Sequence, residues 1–589
     1  MARSAKLFNF AGITPQVDDA LLDANVAMVA EDVDLGRGDL MPLNGSPVLQ
    51  AEPYLVKTIV DVGGTSRLKT LPYDTDVVFT TPAYGDLGRV AWVYEGVVRY
   101  ASLNSFINGK EYILGVNRPF SAPTNITQPN GTPCDNTENC KLITSFCSTY
   151  VNEYGQESAP SNHSEAAPYD MSAFKMTFDN RDIPTSSNEK ITFRRVYMTI
   201  PTQTTGEENQ LGVGGEWFLV SERSINHNLN TETFQLNGLP SAVDTLPSVT
   251  WEVPPRSIDH IAMFPDTDSL VLANLNMIHI SEPGQHHAFP RDRDIVISDN
   301  IVALQYFAGH MVVLTDGHPY IIGFRKNDQG APIYTVEREN EAYPCVSKRS
   351  VAVGTTGVVW ASTDGVFTMN QTRFGISIKS LTNTLFHFDD WQSCKPESIR
   401  GALHNGQYFF TSDEQMVNSI TGYKSHSWVL TYDKTVYDQP KNIFLHSLSV
   451  KPDVWYKSRR DKLYGAVGTQ LFEWNPLNGV PVPYTYISRV LVEPGLTNYS
   501  AAKVVNDKDG ELNFEIWREN NGNPVLLYSR PVNHSEPFRL PRTLLSVDHF
   551  IKLVGTSRVR RIHMADSLLA LTRTDDTTMT HGNARLTQR

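Results

Sequence analysis

Two adjacent histidines, His286-His287, stand just before Asp292 and Asp294, residue types that can hold a divalent metal. Neighbouring side chains on a strand point to opposite faces, so both imidazoles rarely reach one ion. The surrounding Pro283-Gly284 and Ala288-Phe289-Pro290 read instead as a connection between strands. Asp507-Lys508-Asp509-Gly510 has the oxygen donors of a calcium loop, but the EF-hand pattern needs its glycine sixth and a glutamate twelfth, and here Gly510 is fourth. A hairpin turn is the simpler reading. His318, in Asp316-Gly317-His318-Pro319, is a candidate general base with no nucleophile elbow beside it, because the chain contains no G-x-S-x-G. The expectation is therefore no catalytic, cofactor-binding or metal-binding set, and no cofactor.

Two basic clusters, Lys457, Arg459, Arg460 and Lys462, and Arg558, Arg560 and Arg561, have the charge to touch phosphate. Such runs are more often solvated faces or ion-pair partners. The whole chain argues the same way: 64 acidic against 51 basic residues give a formal net charge of −13. An acidic protein is a poor grip for nucleic acid, although an acidic wall suits a channel through which a polyanion must slide.

The five cysteines, Cys134, Cys140, Cys147, Cys345 and Cys394, contain no CxxC pair and are expected to be free thiols of a reducing cytoplasm. No apolar stretch reaches the ~18 residues of a membrane span. The start of the chain lacks the apolar core of a secretion signal.

The elements that would position these residues are β-strands. Aromatics make up 10% of the chain, and its 38 Gly and 35 Pro are spread evenly, which suits short strands and turns. Six segments repeat an apolar strand, a tight polar turn and a second apolar strand. They centre on Glu95-Gly96, Asn274, Asp316-Gly317, Asp364-Gly365, Asn405-Gly406 and Gly468. Asn-Gly and Asp-Gly between apolar strands favour type I′ hairpins, which need positive φ at both turn residues. From 274 onward the turns recur at intervals of 42, 48, 41 and 63 residues, near the ~40–50 of a four-stranded propeller blade. A series of β-sandwiches would space its turns similarly. The early turn at 95 is cut off from the others by a long interval holding short strands around Leu142–Val151, Phe174–Phe178, Ile191–Ile200 and Trp217–Val220. An insertion of that size fits a sandwich module.

The expected fold is therefore mainly β: a β-propeller core with an inserted fibronectin-like β-sandwich and an additional β region at the C-terminus. The expected boundaries are an N-terminal segment at 1–60, a first propeller segment at 61–117, and the inserted sandwich at 118–250. The main blades follow at 251–485, then the C-terminal β region at 486–571 and a polar tail at 572–589.

Several phrases resemble one family. They include Gly12-Ile13-Thr14-Pro15, Leu35-Gly36-Arg37-Gly38-Asp39-Leu40, Leu114-Gly115-Val116, Ile280-Ser281-Glu282-Pro283-Gly284-Gln285, Leu314-Thr315-Asp316-Gly317 and Cys345-Val346-Ser347-Lys348-Arg349-Ser350. Together they resemble the nozzle proteins, or tail tubular proteins B, of podophages, over residues 12 to about 410. The resemblance implies a structural virion protein of the viral tail, made in the host cytoplasm. It would form a hexameric ring below the tail adaptor protein, continue the DNA-ejection channel without specific DNA binding, and have tail fibres as further partners. The opposing reading is a propeller-based tail protein that binds or degrades a host-surface glycan. Against the degrading form, Ser362-Thr363-Asp364-Gly365 is too compact to resemble the repeated turns of sialidase-like propellers, and it does not recur.

Overall fold

In the computed structural model the chain is described over residues 4–571, apart from segments of which 81–87, 128–141, 184–190, 204–215, 238–243 and 433–442 are the longest. Cys134, Cys140, Lys508 and the polar tail lie outside the described residues. The protein is mainly β. Among the described residues the helices are Leu103–Ile107, Phe388–Ser393, one turn at 568–571 and three single 3₁₀ turns. None is long and apolar enough to cross a membrane.

Contacts divide the chain into two units. One comprises Met1–Asp74, Asp316–His318 and Asn340–Arg589; the other comprises Thr75–Thr315 and Pro319–Glu339.

The second unit holds three four-stranded antiparallel sheets, in each of which every strand pairs with the next in sequence. The first joins Val77–Thr80, Arg89–Tyr94, Val97–Ser102 and Tyr112–Ile113. The second joins His260–Phe264, Ser269–Asn274, Met277–Ile280 and Ile295–Val296. The third joins Ile301–Phe307, His310–Thr315, Tyr320–Lys326 and Pro332–Arg338. The second sheet is covered on both sides, and its strand Ser269–Asn274 is buried along nearly its whole length. Ala91, Val98 and Tyr100 pack against Ile261, Leu270 and Leu272. Phe264, Val271 and Ile280 pack in turn against Leu304, Met311 and Val313.

Between the first and second sheets, residues 124–237 form three sheets of three strands each. Two of these share a core of Phe146, Met176, Phe178, Val196 and Met198.

The first unit continues the pattern. A fourth sheet joins Ala352–Val353, Gly357–Ser362, Gly365–Thr372 and Gly375–Ser380. A fifth starts with Arg400–His404, Gln407–Val417, Lys424–Thr431 and Phe444–Leu448. It then runs on through Ala27–Glu31 and Tyr484–Ser488 into the C-terminal strands. The sixth comprises Val454–Lys457, Leu463–Val467 and Gln470–Glu473, and its fourth strand is the distant Val48–Ala51. Ala402, Phe409 and Val429 of the fifth sheet bury Trp455, Leu463 and Phe472 of the sixth.

All six expected hairpins are present, but their turns differ in kind. Glu95-Gly96 (φ 51° and 73°) and Asn405-Gly406 (φ 48° and 78°) are positive at both positions, as a type I′ turn requires. The Asp316-Gly317 and Asp364-Gly365 turns are not of that type. The first spans four residues between its strands. In the second, Gly365 alone is positive (φ 147°), and a Cβ there would stand 2.2 Å from Thr382 Oγ1. Gly365 is thus required by close approach as well as by backbone conformation.

Candidate functional site

The residues singled out in the sequence are absorbed one by one into structural roles. His286 and His287 lie in a turn rather than on a strand, and they meet different partners: His286 Nε2 lies 3.2 Å from Asp268 Oδ1, and His287 Nε2 donates to the Glu157 carbonyl at 2.9 Å. Burial lowers the pKa of both, that of His287 to about 4. Asp294 pairs with His279 Nδ1 at 2.7 Å rather than with either. Asp292 is the middle residue of the 3₁₀ turn Arg291–Arg293. Among the described residues no group of three or more His, Cys, Asp or Glu is placed to hold a metal ion. Asp507 accepts from Arg560 at 2.8 Å, in a loop between Ala501–Asn506 and Leu512–Arg518. Asp316, Gly317 and His318 lie in the connection between strands His310–Thr315 and Tyr320–Lys326. Ser362-Thr363-Asp364-Gly365 is docked by Trp391, whose Nε1–H donates to the Ser362 carbonyl at 2.9 Å.

Four members of the basic clusters, Lys457, Lys462, Arg558 and Arg560, form ion pairs within the chain. Lys457 meets Asp461 at 3.1 Å and Lys462 meets Glu473 at 2.9 Å. Arg558 Nε donates to Asp39 at 3.0 Å, and that carboxylate raises the guanidinium pKa. Charge already neutralised inside the chain has fewer counterions to exchange for phosphate. Cys147, Cys345 and Cys394 are buried free thiols, and desolvation pushes each up to about 12, so none is a ready nucleophile.

Two features have no linear signature in the sequence. The first is an exposed sheet edge. Val48–Ala51 closes the sixth sheet with all four residues exposed, including Val48 and Leu49 at about half. Its outer backbone groups form a ready template for another chain. The same corner holds Asn44, whose N–H donates to Asn475 Oδ1 at 2.8 Å, and Gly45, whose N–H donates to the Val480 carbonyl at 2.7 Å. Leu477 (98%) and Val480 (79%) are among the most exposed large apolar residues described. Apolar side chains concentrated beside an open edge are unusual on a monomer surface.

The second feature is a serine ladder in the 124–237 segment. Strand Phe146–Asn152 pairs on one side with Ile191–Thr199. On its other side run Ser158, Ser161 and Ser164, three residues apart, opposite Tyr150, Ser148 and Phe146, two residues apart. Each serine N–H donates to its partner's carbonyl at 2.8–2.9 Å. Each serine Oγ accepts the partner's N–H at 2.9–3.0 Å. At the head of the ladder buried Glu157 accepts from Thr149 (2.6 Å), Tyr197 (2.7 Å) and Arg195 (2.6 Å). A buried carboxylate is tolerated only when its lone pairs are matched in this way.

No protein-family model and no curated protein matches the chain. Among solved structures, a candidate 6-phosphogluconolactonase from Bacteroides uniformis aligns over 58% of this chain and 95% of its own, at 9% identity and a TM-score of 0.26. The WD40 propeller domain of Doa1 aligns over 52% and 90%, at 9% identity and a TM-score of 0.19. Likeness that low decides neither fold nor function.

Proposed function

We propose that this chain is a structural subunit of a podophage tail nozzle. Its copies close a hexameric ring below the tail adaptor, continue the DNA-ejection channel and offer outer surfaces to fibres. In this reading the four-stranded sheets are blades of a propeller, the 124–237 segment is a fibronectin-like insertion, and the protein is not an enzyme. The observation that carries the reading is the run of four-stranded antiparallel sheets, the sixth completed by a strand from the N-terminal segment. Pairing distant segments is how a propeller protects its blade edges.

Three further points support it. The phrases that resemble the nozzle family fall on sheet connections, as with Ile280–Gln285 and Leu314–Gly317. The net charge of −13 suits acidic rings along a lumen that DNA must traverse without adhering. The open edge at Val48–Ala51 offers a subunit contact, and a heterologous contact of constant rotation closes into a ring.

Light scattering of the purified chain, alone and with the adaptor, tests the proposal. A closed hexamer without saccharide-releasing activity is expected. A stable monomer in both conditions, or turnover of a polysaccharide, would replace this reading with that of a glycan-degrading tail protein.

A further inference from the structure

The serine ladder holds one wall of a cavity. Ala159 to His163, the stretch between and just beyond Ser158 and Ser161, lines a space of about 220 Å³ together with Cys147, Trp217, Trp251 and Arg118. At ~30 Å³ per water it has room for several waters, yet it is smaller than the ~300 Å³ at which drug-sized pockets begin. It therefore fits a molecule of one ring.

Its chemistry is specific. Trp217 is partly buried and Trp251 is 8% exposed. Among the described residues, no hydrogen bond holds either indole N–H. Trp251 is braced edge-on by His287, ring centroids 5.5 Å apart at 89°, and His163 leans on Trp217 at 6.4 Å. At the rim stand exposed Asn162, His163, Arg118 and Glu252. Flat apolar faces beside a polar rim suit a ligand that is apolar on one face and polar at its edge. Arg118 disfavours a simple organic cation, and Glu252 disfavours a simple anion.

We propose that this cavity is a binding site for a single saccharide unit, with Trp217 and Trp251 contacting the C–H face of the ring and Arg118, Asn162, His163 and Glu252 contacting its hydroxyls. The site belongs to the 124–237 segment and its flanks and does not depend on ring assembly. It would let a subunit touch the cell surface while its sheets do other work.

The test is a titration of the full chain with methyl glucoside, methyl galactoside, N-acetylglucosamine and N-acetylneuraminic acid. Intrinsic tryptophan fluorescence and saturation-transfer NMR report binding, and tetramethylammonium serves as the cation control. The expected result is saturable millimolar binding of at least one sugar. It should weaken tenfold or more in Trp217→Ala, and severalfold in Arg118→Ala, a change at an exposed position that leaves the fold intact. Saturation by none of the sugars, saturation by tetramethylammonium instead, or sugar binding unchanged in both variants would overturn the proposal.

Discussion

Ser158 and Tyr150 exchange two hydrogen bonds: the Ser158 N–H donates to the Tyr150 carbonyl at 2.9 Å, and the Tyr150 N–H donates to Ser158 Oγ at 2.9 Å. The hydroxyl proton then goes to the Ala159 carbonyl at 2.7 Å. A side chain thus does the work of a missing ladder strand and closes an edge that would otherwise be open. Ser158→Ala leaves the buried Tyr150 N–H without an acceptor, at a cost of about 1–3 kcal/mol. Hydrogen exchange should show the Tyr150 amide losing protection while the Val312 and Val359 amides, in sheets far along the chain, keep theirs. Uniform loss across all three would mean that the ladder does not stabilise locally.

Acid should loosen the fold before it titrates most carboxylates. His287 and His446 are buried, and each is depressed from 6.5 to about 4 by desolvation. A histidine with a lowered folded pKa binds its proton more readily when unfolded. Its stabilising contribution is therefore complete above pH 6.5 and is lost as the pH falls from 6.5 toward 4. Urea midpoints should drop steadily through that window and stay flat from pH 7 to 8. A midpoint independent of pH between 6.5 and 4 would contradict the burial of neutral imidazoles.

Gly365→Ala meets two penalties, a φ of 147° and a Cβ 2.2 Å from Thr382 Oγ1. Thr382 cannot simply swing away, because its Oγ1 accepts the Val366 N–H at 2.8 Å. The expected loss is about 2–4 kcal/mol, at the severe end for a single substitution. Gly365→Ala should cost less in a Thr382→Ala background than in the natural chain, since the clash is absent there while the strain stays. An equal cost in both backgrounds would show that the clash is relieved elsewhere.

Val48→Lys with Leu49→Lys tests the open edge. Both side chains are about half exposed, so folding stability should change by no more than about 0.5 kcal/mol per site. Charges on an edge strand block pairing with another chain. Light scattering should show assembly reduced to monomers at unchanged thermal stability. Full assembly of the doubly charged variant would move the subunit contact away from this edge.

What could be read in advance was local. Asn405-Gly406 announces its hairpin because the residue types that tolerate positive φ are few. The equally tight turn at Ala308-Gly309 (φ 51° and 84°) went unread, since alanine carries no such signal. The sixth sheet was legible only in part. Its hairpin at Gly468 is a neighbourly event, but its closing strand meets it across a gap like that between Asn44 and Asn475, 431 positions apart. No periodicity reports pairing at that range. The serine ladder, which starts in Glu157-Ser158-Ala159-Pro160-Ser161, has no linear signature in the sequence. Its logic, a three-residue repeat facing a two-residue repeat, becomes plain once the facing strand is in place. The cavity draws Arg118, Cys147, Trp217 and Trp251 from separate stretches, so it has no linear motif.

The central claim is that copies of this chain ring a DNA channel. Symmetry-resolved electron microscopy of the intact tail tests it most directly. The expected result is sixfold density distal to the adaptor, with each chain's sheets walling a channel lined mainly by Asp and Glu. Copies arranged in threes at the tail periphery, or a channel lined mainly by Lys and Arg, would contradict it.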